Sequence, residues 1–337
     1  MSASTKPASE SAAPEPVDAS AKFVDPPCHT DYSGQVCGEL NAKPGRLAAY
    51  TRLKISVATL LGDLPTPGFT RHLLSDQFYL AKWLRASDYN ADKAVDMLRR
   101  HLVWRRENGI DSMSIPYFDD GEEAADQFDD SQPDSADSHV PELIRRYHTG
   151  GRCGSDREGR PVFIDPIGQF DMSGLMRRHS IRELVLSRVR IWERLLRRDF
   201  PAARRRTGLP VCQAVYVIDL AGFGRRQMNS DGLAYVKELS RVLEANYPEL
   251  LGSALVLNPK HQRLTQLIWR LMGPLLSPAT RQTVRILPEG EAGRATLLAA
   301  VPPDQLPAAY GGKLLDPTDN DPACRSLICY GGQVPSD

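Results

Sequence analysis

The chain has 337 residues and a mass of 37.4 kDa, which is enough for about two domains and a sizeable hydrophobic core. Hydrophobic residues make up 41% and charged residues 25% of the composition, which excludes a fibrous, collagenous or wholly disordered chain. The 42 basic and 42 acidic residues balance, so nucleic acid is not an expected partner. No apolar stretch is long enough to span a bilayer and no signal-peptide core begins the chain, which predicts a cytoplasmic protein.

The N-terminal part of the sequence predicts a disordered segment followed by a small helical domain. Residues 1–45 are rich in Ala, Ser and Pro, and they cannot bury enough apolar surface to offset the entropy of ordering. Residues 46–118 have a helical pattern, and Asn90 is a typical N-cap for its clearest helix. Four apolar residues then share one face of that helix: Ala94, Met97, Leu98 and Leu102.

Residues 119–138 form an acidic segment without a single basic side chain. Because like charges at this density repel one another, we expect an exposed loop. The spacing of an EF-hand is missing from it, so no metal site is predicted.

Residues 139–315 alternate between short apolar runs and longer helical stretches, and residues 316–337 are set apart as a C-terminal tail. Four strands are predicted: Arg160–Asp165, Ala214–Leu220, Ser253–Leu257 and Thr283–Leu287. The main helices between them are predicted at Ile181–Asp199 and Asp231–Ala245. This alternation predicts an α/β fold in which helices flank a sheet.

Sequence motifs of the common enzyme classes are missing. The chain contains no GxSxG, GxxxxGK[ST], HExxH or GxGxxG pattern, and its six cysteines have no paired spacing. Asp165 and Asp219 each end an apolar run, where a carboxylate either acts in catalysis or caps a turn. We expect free thiols, no metal, no cofactor and no enzymatic activity.

Arginines are concentrated in the predicted helix 181–199 and in the loop expected after it. They are Arg188, Arg190, Arg194, Arg197, Arg198 and the run Arg204–Arg206. One interpretation is a solvated helix face balanced by Glu183, Glu193 and Asp199. The alternative is a surface that contacts anionic lipid.

A continuous apolar stripe lies between residues 264 and 275. Its members recur at i, i+3, i+4, i+7, i+8 and i+11: Leu264, Leu267, Ile268, Leu271, Met272 and Leu275. The spacing predicts a helix with one apolar face, which is typical of a core helix. Trp269 and Arg270 lie off this stripe and favour contact with a membrane interface as the alternative.

Several short motifs in a fixed order give the chain a family resemblance. They are Trp83–Ala86, Asn90–Trp104, Gly159–Val162, Ile218–Leu220, Asn246–Glu249, Gly273–Pro278 and Tyr310–Lys313. In this order they resemble the CRAL-TRIO lipid-transfer family. Gly150–Asp156 and Cys324–Gly332 are similar to the animal branch of supernatant protein factor and the tocopherol-associated proteins. That branch usually continues into a GOLD domain, which we expect to be absent because the sequence stops at Asp337.

The resemblance implies a small helical N-terminal domain packed on an α/β lobe whose sheet forms the floor of an apolar lipid pocket. The stripe from Leu264 to Leu275 matches the mobile gate helix that closes the pocket in this family. Four strand residues are expected to line the pocket: Phe163, Val217, Leu255 and Leu257.

Residues that contact a lipid headgroup are also implied by the resemblance: Glu249, Thr280 and Tyr216. Phosphatidylinositol-binding members carry basic residues where this chain has Ser87, Asp88 and Thr283. Unless Arg281 or Arg285 substitutes for them, a more apolar ligand is favoured, such as a tocopherol, a sterol precursor or a neutral lipid.

Two functions follow as hypotheses. The first is a lipid-binding and transfer protein that holds one hydrophobic ligand in a gated pocket and exchanges it at membranes. The second is a lipid-sensing regulatory module that binds a protein partner, for which the acidic residues 119–138 and the arginines are candidate surfaces.

Overall fold

The computed structural model describes residues 40, 42–63, 68–113, 115, 140–224, 226–259, 269–270 and 273–336. The acidic segment 119–138, most of residues 1–45 and five of the six stripe residues lie outside the described part of the chain. Among the helices that are described, none is both long and apolar enough to cross a bilayer.

The N-terminal region is helical, as the sequence predicts. Its helices are α1 (Arg46–Asp63), α2 (Gly68–Ser75), α3 (Gln77–Ala86) and α4 (Ala91–Glu107). The predicted cap of α4 is confirmed, because the Asn90 side chain accepts a hydrogen bond from the backbone N–H of Lys93 at 3.0 Å. Ala94 and Leu98 on its apolar face are fully buried.

Five strands form one mixed sheet in the order β1 to β5. They are β1 (Gly151–Ser155), β2 (Pro161–Asp165), β3 (Ala214–Asp219), β4 (Leu251–Leu257) and β5 (Val284–Ile286). Strands β2 to β5 pair in parallel and were predicted, whereas β1 pairs antiparallel to β2 and was missed. Its sequence has no run of β-branched residues, and pairing with β2 holds it in the sheet.

Helices cover both faces of this sheet. In chain order they are α5 (Glu142–Tyr147), α6 (Met172–Met176), α7 (Ile181–Arg194), α8 (Phe200–Thr207), α9 (Ser230–Asn246), α10 (Pro278–Thr283) and α11 (Glu291–Ala300). One face packs against α11 and against residues 316–336, where Cys324 and Ile328 are fully buried. The tail that the sequence set apart is therefore packed on the lobe.

The arginine-rich segment differs from its sequence interpretation as a solvated face. Arg188 and Arg197 are only 3% and 4% exposed, and Arg204–Arg206 belong to α8 rather than to a loop. Helix α7 contacts α9 on one side and α4 through side chains on another, so its polar groups need partners inside the protein. A π-helical turn, Leu195–Asp199, joins α7 to α8.

A buried ion cluster joins the N-terminal helices to α7. Glu193 on α7 is fully buried and accepts two hydrogen bonds from Arg105 on α4, at 2.7 and 2.9 Å. Arg197 donates to the same carboxylate at 3.1 Å, and the Tyr247 hydroxyl donates to it at 2.8 Å. These contacts hold the pKa of Glu193 at about 2, so the carboxylate stays charged.

His101 on α4 lies beside this ion cluster. Its Nδ1 donates to Asn246 Oδ1 on α9, and its Nε2 accepts from the Tyr79 hydroxyl, each at 3.1 Å. Burial and the neighbouring Arg105 charge lower the pKa of His101 to about 3, so the imidazole stays neutral in the folded protein.

The variant Arg105→Met removes the bidentate partner of a buried carboxylate while Arg197 remains. We expect the free energy of unfolding to fall by about 3–5 kcal/mol, because a buried charge loses most of its compensation. Urea unfolding followed by circular dichroism measures this change. The exposed neighbour Arg106 is the matched control, and Arg106→Met should change stability by less than about 0.5 kcal/mol.

His101 predicts a pH dependence of stability. An unfolded histidine has a pKa of about 6.5, so below that pH the unfolded chain binds a proton that the folded chain, with its pKa of about 3, does not. Stability should therefore fall as the pH falls, by about 2 kcal/mol between pH 8 and pH 5 from this residue alone. Urea unfolding of His101→Gln should show a smaller loss over the same interval, and an equal loss would contradict the assignment.

Candidate functional site

An apolar cavity of about 280 Å³ lies between the sheet and helices α7 and α9. Side chains from four strands, β2 to β5, and from both helices meet there. Its apolar lining includes Phe170, Met172, Ile218, Val236, Leu239, Leu243, Leu251, Ala254, Leu276 and Val284. A cavity with such a wall suits a hydrophobic ligand.

Two sequence periodicities, the alternation of a strand and the spacing of a helix, place side chains in the cavity wall. Along β3, Tyr216 and Ile218 line the cavity, while Val215 and Val217 point into the core on the other face of the sheet. Along α9 six of the seven lining residues recur at i, i+3, i+4, i+7, i+8 and i+11: Gly232, Tyr235, Val236, Leu239, Ser240 and Leu243, while Leu233 lies off this series. This helical series is visible in the sequence, but the pattern predicted only the helix and not the cavity that these residues line.

The strand residues expected to line the pocket divide between the two faces of the sheet. Val217, Leu255 and Leu257 do not line the cavity, because strand alternation places them in the core that packs against Leu297 of α11. This corrects the sequence prediction. Phe163 lies on the cavity side, where its ring stacks on Tyr216 with 4.8 Å between centroids.

The headgroup residues expected from the family resemblance are also separated. Tyr216 and Thr280 both line the cavity, whereas Glu249 lies in an open polar groove and pairs with Arg85 Nε at 2.6 Å. Thr280 lines the groove as well as the cavity, so the two spaces meet at α10. Arg285 also lines the groove.

Only one stripe residue of the expected gate, Leu275, is described. It ends the short 3₁₀ turn Gly273–Leu275 and lines a surface groove beside Trp104, not the cavity. Its neighbour Leu276 does line the cavity. Leu264, Leu267, Ile268, Leu271 and Met272 lie outside the described residues, while Trp269 and Arg270 are exposed.

One corner of the cavity is polar, and sequence reasoning missed it. Arg188 on α7 pairs through Nη2 with Asp165 Oδ2 at 3.0 Å, and Thr149 donates to Asp165 Oδ1 at 2.7 Å. Arg188 occupies one position in the buried series of α7, which is Leu184, Val185, Arg188, Val189 and Trp192. An arginine among these apolar positions is the feature of the sequence that could have indicated a buried polar corner.

Electrostatics in this corner follow from burial. Burial raises the pKa of Asp165 although the Arg188 charge opposes the rise, and burial raises the pKa of Tyr216 to about 12. Burial, together with Arg188, lowers the pKa of His148 well below its usual value. His148 Nε2 lies 2.9 Å from the Tyr235 hydroxyl, and Trp192 donates to the Tyr216 hydroxyl at 3.2 Å.

The second strand-terminal carboxylate, Asp219, has a structural role. It accepts hydrogen bonds from the Ala221 backbone N–H at 2.9 Å, from Asn258 at 2.7 Å and from Tyr310 at 3.2 Å. These contacts are those of a turn cap. Among the described residues, no three His, Cys, Asp or Glu side chains come together as a metal site.

Comparison with known proteins identifies the domain. Residues 145–312 match the family model of the CRAL/TRIO domain. The chain is 28% identical over 209 residues to the Caenorhabditis elegans CRAL-TRIO domain-containing protein T23G5.2, covering 62% of this chain and 26% of that protein. It is 26% identical over 238 residues to the Arabidopsis thaliana phosphatidylinositol/phosphatidylcholine transfer protein SFH9, covering 70% of this chain and 37% of that protein.

Among solved structures, the chain is similar to the crystal structure of Sfh5, with 17% identity, a TM-score of 0.44 and coverage of 64% of this chain and 66% of that one. The chain spans only 26% and 37% of the length of the two curated relatives. The matched residues 145–312 include all five strands and both helices that wall the cavity. Residues 145–312, just under half of the chain, are therefore a CRAL-TRIO domain.

Proposed function

We propose that this protein binds one hydrophobic lipid in the cavity between the sheet, α7 and α9, and transfers it between membranes. The apolar wall of that cavity is the observation that carries the proposal. The family membership agrees with it, and one relative is named as a phosphatidylinositol/phosphatidylcholine transfer protein. The proposed function includes no chemical step, because Asp165 is held in an ion pair and Asp219 caps a turn.

The energetics of a lipid in this cavity favour binding. Each methylene group that leaves water for an apolar site contributes about 0.8 kcal/mol. A lipid held by such contacts leaves them readily only for another apolar phase, so we expect exchange at a membrane surface. The protein would then work in the cytoplasm and visit membranes peripherally.

The open groove at Glu249 argues for a ligand other than phosphatidylinositol. Glu249 is paired with Arg85, and Ser87 is buried and donates to the Leu84 carbonyl. The groove is lined by four arginines (Arg85, Arg157, Arg160 and Arg285) and by five carboxylates (Asp88, Asp156, Glu158, Glu244 and Glu249), so a phosphate would meet no net positive charge there. We therefore favour a lipid with a small, uncharged polar group.

The apolar stripe from Leu264 to Leu275 serves as the gate in this proposal. The residues on either side of the stripe support this assignment. Strand β4, which contributes to the cavity wall, ends at Leu257 before the stripe, and Leu276 directly after it lines the cavity. The narrower resemblance to supernatant protein factor and the domain boundaries at residues 45, 118, 138 and 315 stay predictions.

Filling the cavity should abolish uptake. Ala254 on β4 lines the cavity and is 2% exposed, so Ala254→Phe places a ring in the space that the lipid would occupy. We expect lipid affinity to fall at least about tenfold, with a cost in stability of about 1–3 kcal/mol. Ala254→Val is the matched control with a smaller volume change. Equal lipid binding by both variants and the unchanged protein would place the ligand elsewhere.

The gate is tested by Leu267→Asp, which puts a charge into the apolar stripe. We expect lipid to dissociate about tenfold faster with little loss of fold, because a carboxylate disfavours contact with an alkyl chain. Release of a fluorescent lipid into acceptor vesicles measures the rate. Gln266→Asp, off the stripe, is the control, and unchanged retention in Leu267→Asp would assign the stripe to the ordinary core or to the outer surface.

Native mass spectrometry with lipid extraction, on protein purified from a eukaryotic host, tests the function as a whole. We expect a single copurifying lipid and catalytic transfer of that lipid between vesicles. Copurified phosphatidylinositol would overturn the argument from the open groove. Binding without transfer would favour the regulatory module that engages a protein partner, and no binding of any lipid would refute the proposal.

A further inference from the structure

The outer side of helix α7 carries a row of arginines that takes no part in the cavity. Arg190, Arg194 and Arg198 recur at i, i+4 and i+8, which places them on one side of α7 and of the π-helical turn that continues it. All three are partly exposed. Arg188 and Trp192, which line the cavity, lie on the inner side of the same helix. We call the outer row, together with the neighbouring Arg152, the arginine face.

The charge of this face is positive. Arg152 on β1 joins it through Asp199, whose two oxygens lie 3.6 Å from Arg152 Nε and 3.9 Å from Arg194 Nε. Asp199 is thus shared between two arginines. Glu183, at the start of α7, accepts hydrogen bonds from the Ser180 backbone N–H and hydroxyl, each at 2.8 Å. The described part of the arginine face therefore carries more guanidinium groups than carboxylates, which suits an acidic partner.

The chain on either side of the acidic segment 119–138 contacts α7 at the two ends of this face. Before the segment, the Met113 carbonyl accepts a hydrogen bond from Arg197 Nη1, in the π-helical turn, at 3.2 Å. After the segment, His148 Nδ1 lies 3.4 Å from the Ser187 hydroxyl on α7. Residues 187 and 197 are ten positions apart, or about 15 Å along the helix. The chain therefore leaves α7 beside one end of the arginine face and returns to it beside the other.

The length and the charge of the intervening chain match this face. Residues 116–139 separate the described residues Ile115 and Val140, and a chain of this length reaches about 80 Å when it is extended. Because both ends are tethered near α7, the local concentration of the segment at the arginines is on the order of millimolar, which favours it over a separate acidic protein. Nine side chains of the segment are acidic and none is basic: Asp119, Asp120, Glu122, Glu123, Asp126, Asp129, Asp130, Asp134 and Asp137.

We propose that the acidic segment 119–138 binds to the arginine face of the same chain. The ion pairs between them cover the guanidinium groups of α7 and withhold these groups from anionic membranes, which attract exposed basic side chains. The contact lies on the outer side of α7, so it stands apart from lipid binding in the cavity on the inner side. Because the ion pairs form at the surface, salt weakens them.

Carbodiimide cross-linking of the full chain measures this contact. The reagent joins a carboxylate to a lysine amine but not to a guanidinium, so Arg194→Lys introduces a reporter and keeps the positive charge. Peptide mapping by mass spectrometry should find position 194 coupled to the acidic segment, with a yield that falls at high salt. The yield should exceed about tenfold that of the exposed native lysines that serve as internal controls, because the segment is held at the face. These controls are Lys93, Lys237 and Lys313.

Two further reporters, Arg190→Lys and Arg198→Lys, are mapped separately in the same way. Coupling of the segment to none of the three positions would overturn the proposal. Coupling to the native lysines with the same yield as to the three reporters would also overturn it, because the segment would then have no preferred surface.

Binding to vesicles of phosphatidylcholine and phosphatidylserine tests what the contact covers. Replacing the nine carboxylates by their amides should uncover the arginine face and raise vesicle affinity at least about tenfold. In that background, the triple variant Arg190→Gln/Arg194→Gln/Arg198→Gln should remove the gain. The triple variant Arg99→Gln/Arg100→Gln/Arg106→Gln makes the same change in net charge at exposed positions of α4, and it should keep most of the gain.

The vesicle experiment has two outcomes that would overturn the proposal. An equal loss of affinity in both triple variants would attribute the gain to net charge rather than to the arginine face. Vesicle binding by the unchanged protein that is as tight as that of the amide variant, and that the α7 triple variant abolishes, would assign the face to the membrane instead of the acidic segment.

Discussion

The fold depends on a single buried carboxylate, Glu193, which is fully shielded from water. Arg105 reaches it from the N-terminal helices, Arg197 from the π-helical turn and Tyr247 from the end of α9. A charge in this position is tolerated only when each lone pair has a donor, so the three segments are held in one relative arrangement. Helix α7 is thereby fixed between the N-terminal helices and the sheet.

The cavity follows from that arrangement. With α7 held by Glu193, Trp192 and Arg188 on the same helix face the sheet rather than the N-terminal helices. Helix α9 is attached to α4 beside this cluster, because Asn246 accepts a hydrogen bond from His101. The space between these two helices and the sheet is left to apolar side chains, and the ion pair of Arg188 with Asp165 is the charged pair within it.

The opposite face of the sheet has a different role. Its side chains pack against α11 and the C-terminal residues, where Leu297 and Ile328 are fully buried or nearly so. Gly151 is pressed against this segment, since a Cβ atom there would lie 1.9 Å from the Leu327 carbonyl oxygen. One face therefore provides stability, and the other can hold a ligand without disturbing it.

Local sequence patterns determined much of this structure. The strands β2 to β5, the long helices and the Asn90 cap are set by alternation, by helical periodicity and by side chains that satisfy nearby backbone groups, and these signals lie within a few residues of one another. The family resemblance likewise rests on short ordered motifs. Strand β1 was missed because its stability comes from its partner β2 and not from its own residues.

The tertiary structure alone decided which face of each element lines the cavity and which charges are buried. Strand alternation separates Tyr216 from Val217, but only the packing of α7 and α9 shows which of the two lines the cavity. The charged residues of α7 have the pattern of a solvated helix, but Arg188 pairs with Asp165 and Glu193 pairs with Arg105, and both partners lie far away in the sequence. A charged residue in the sequence does not reveal whether a distant opposite charge will neutralise it, because that depends on how the chain folds back on itself.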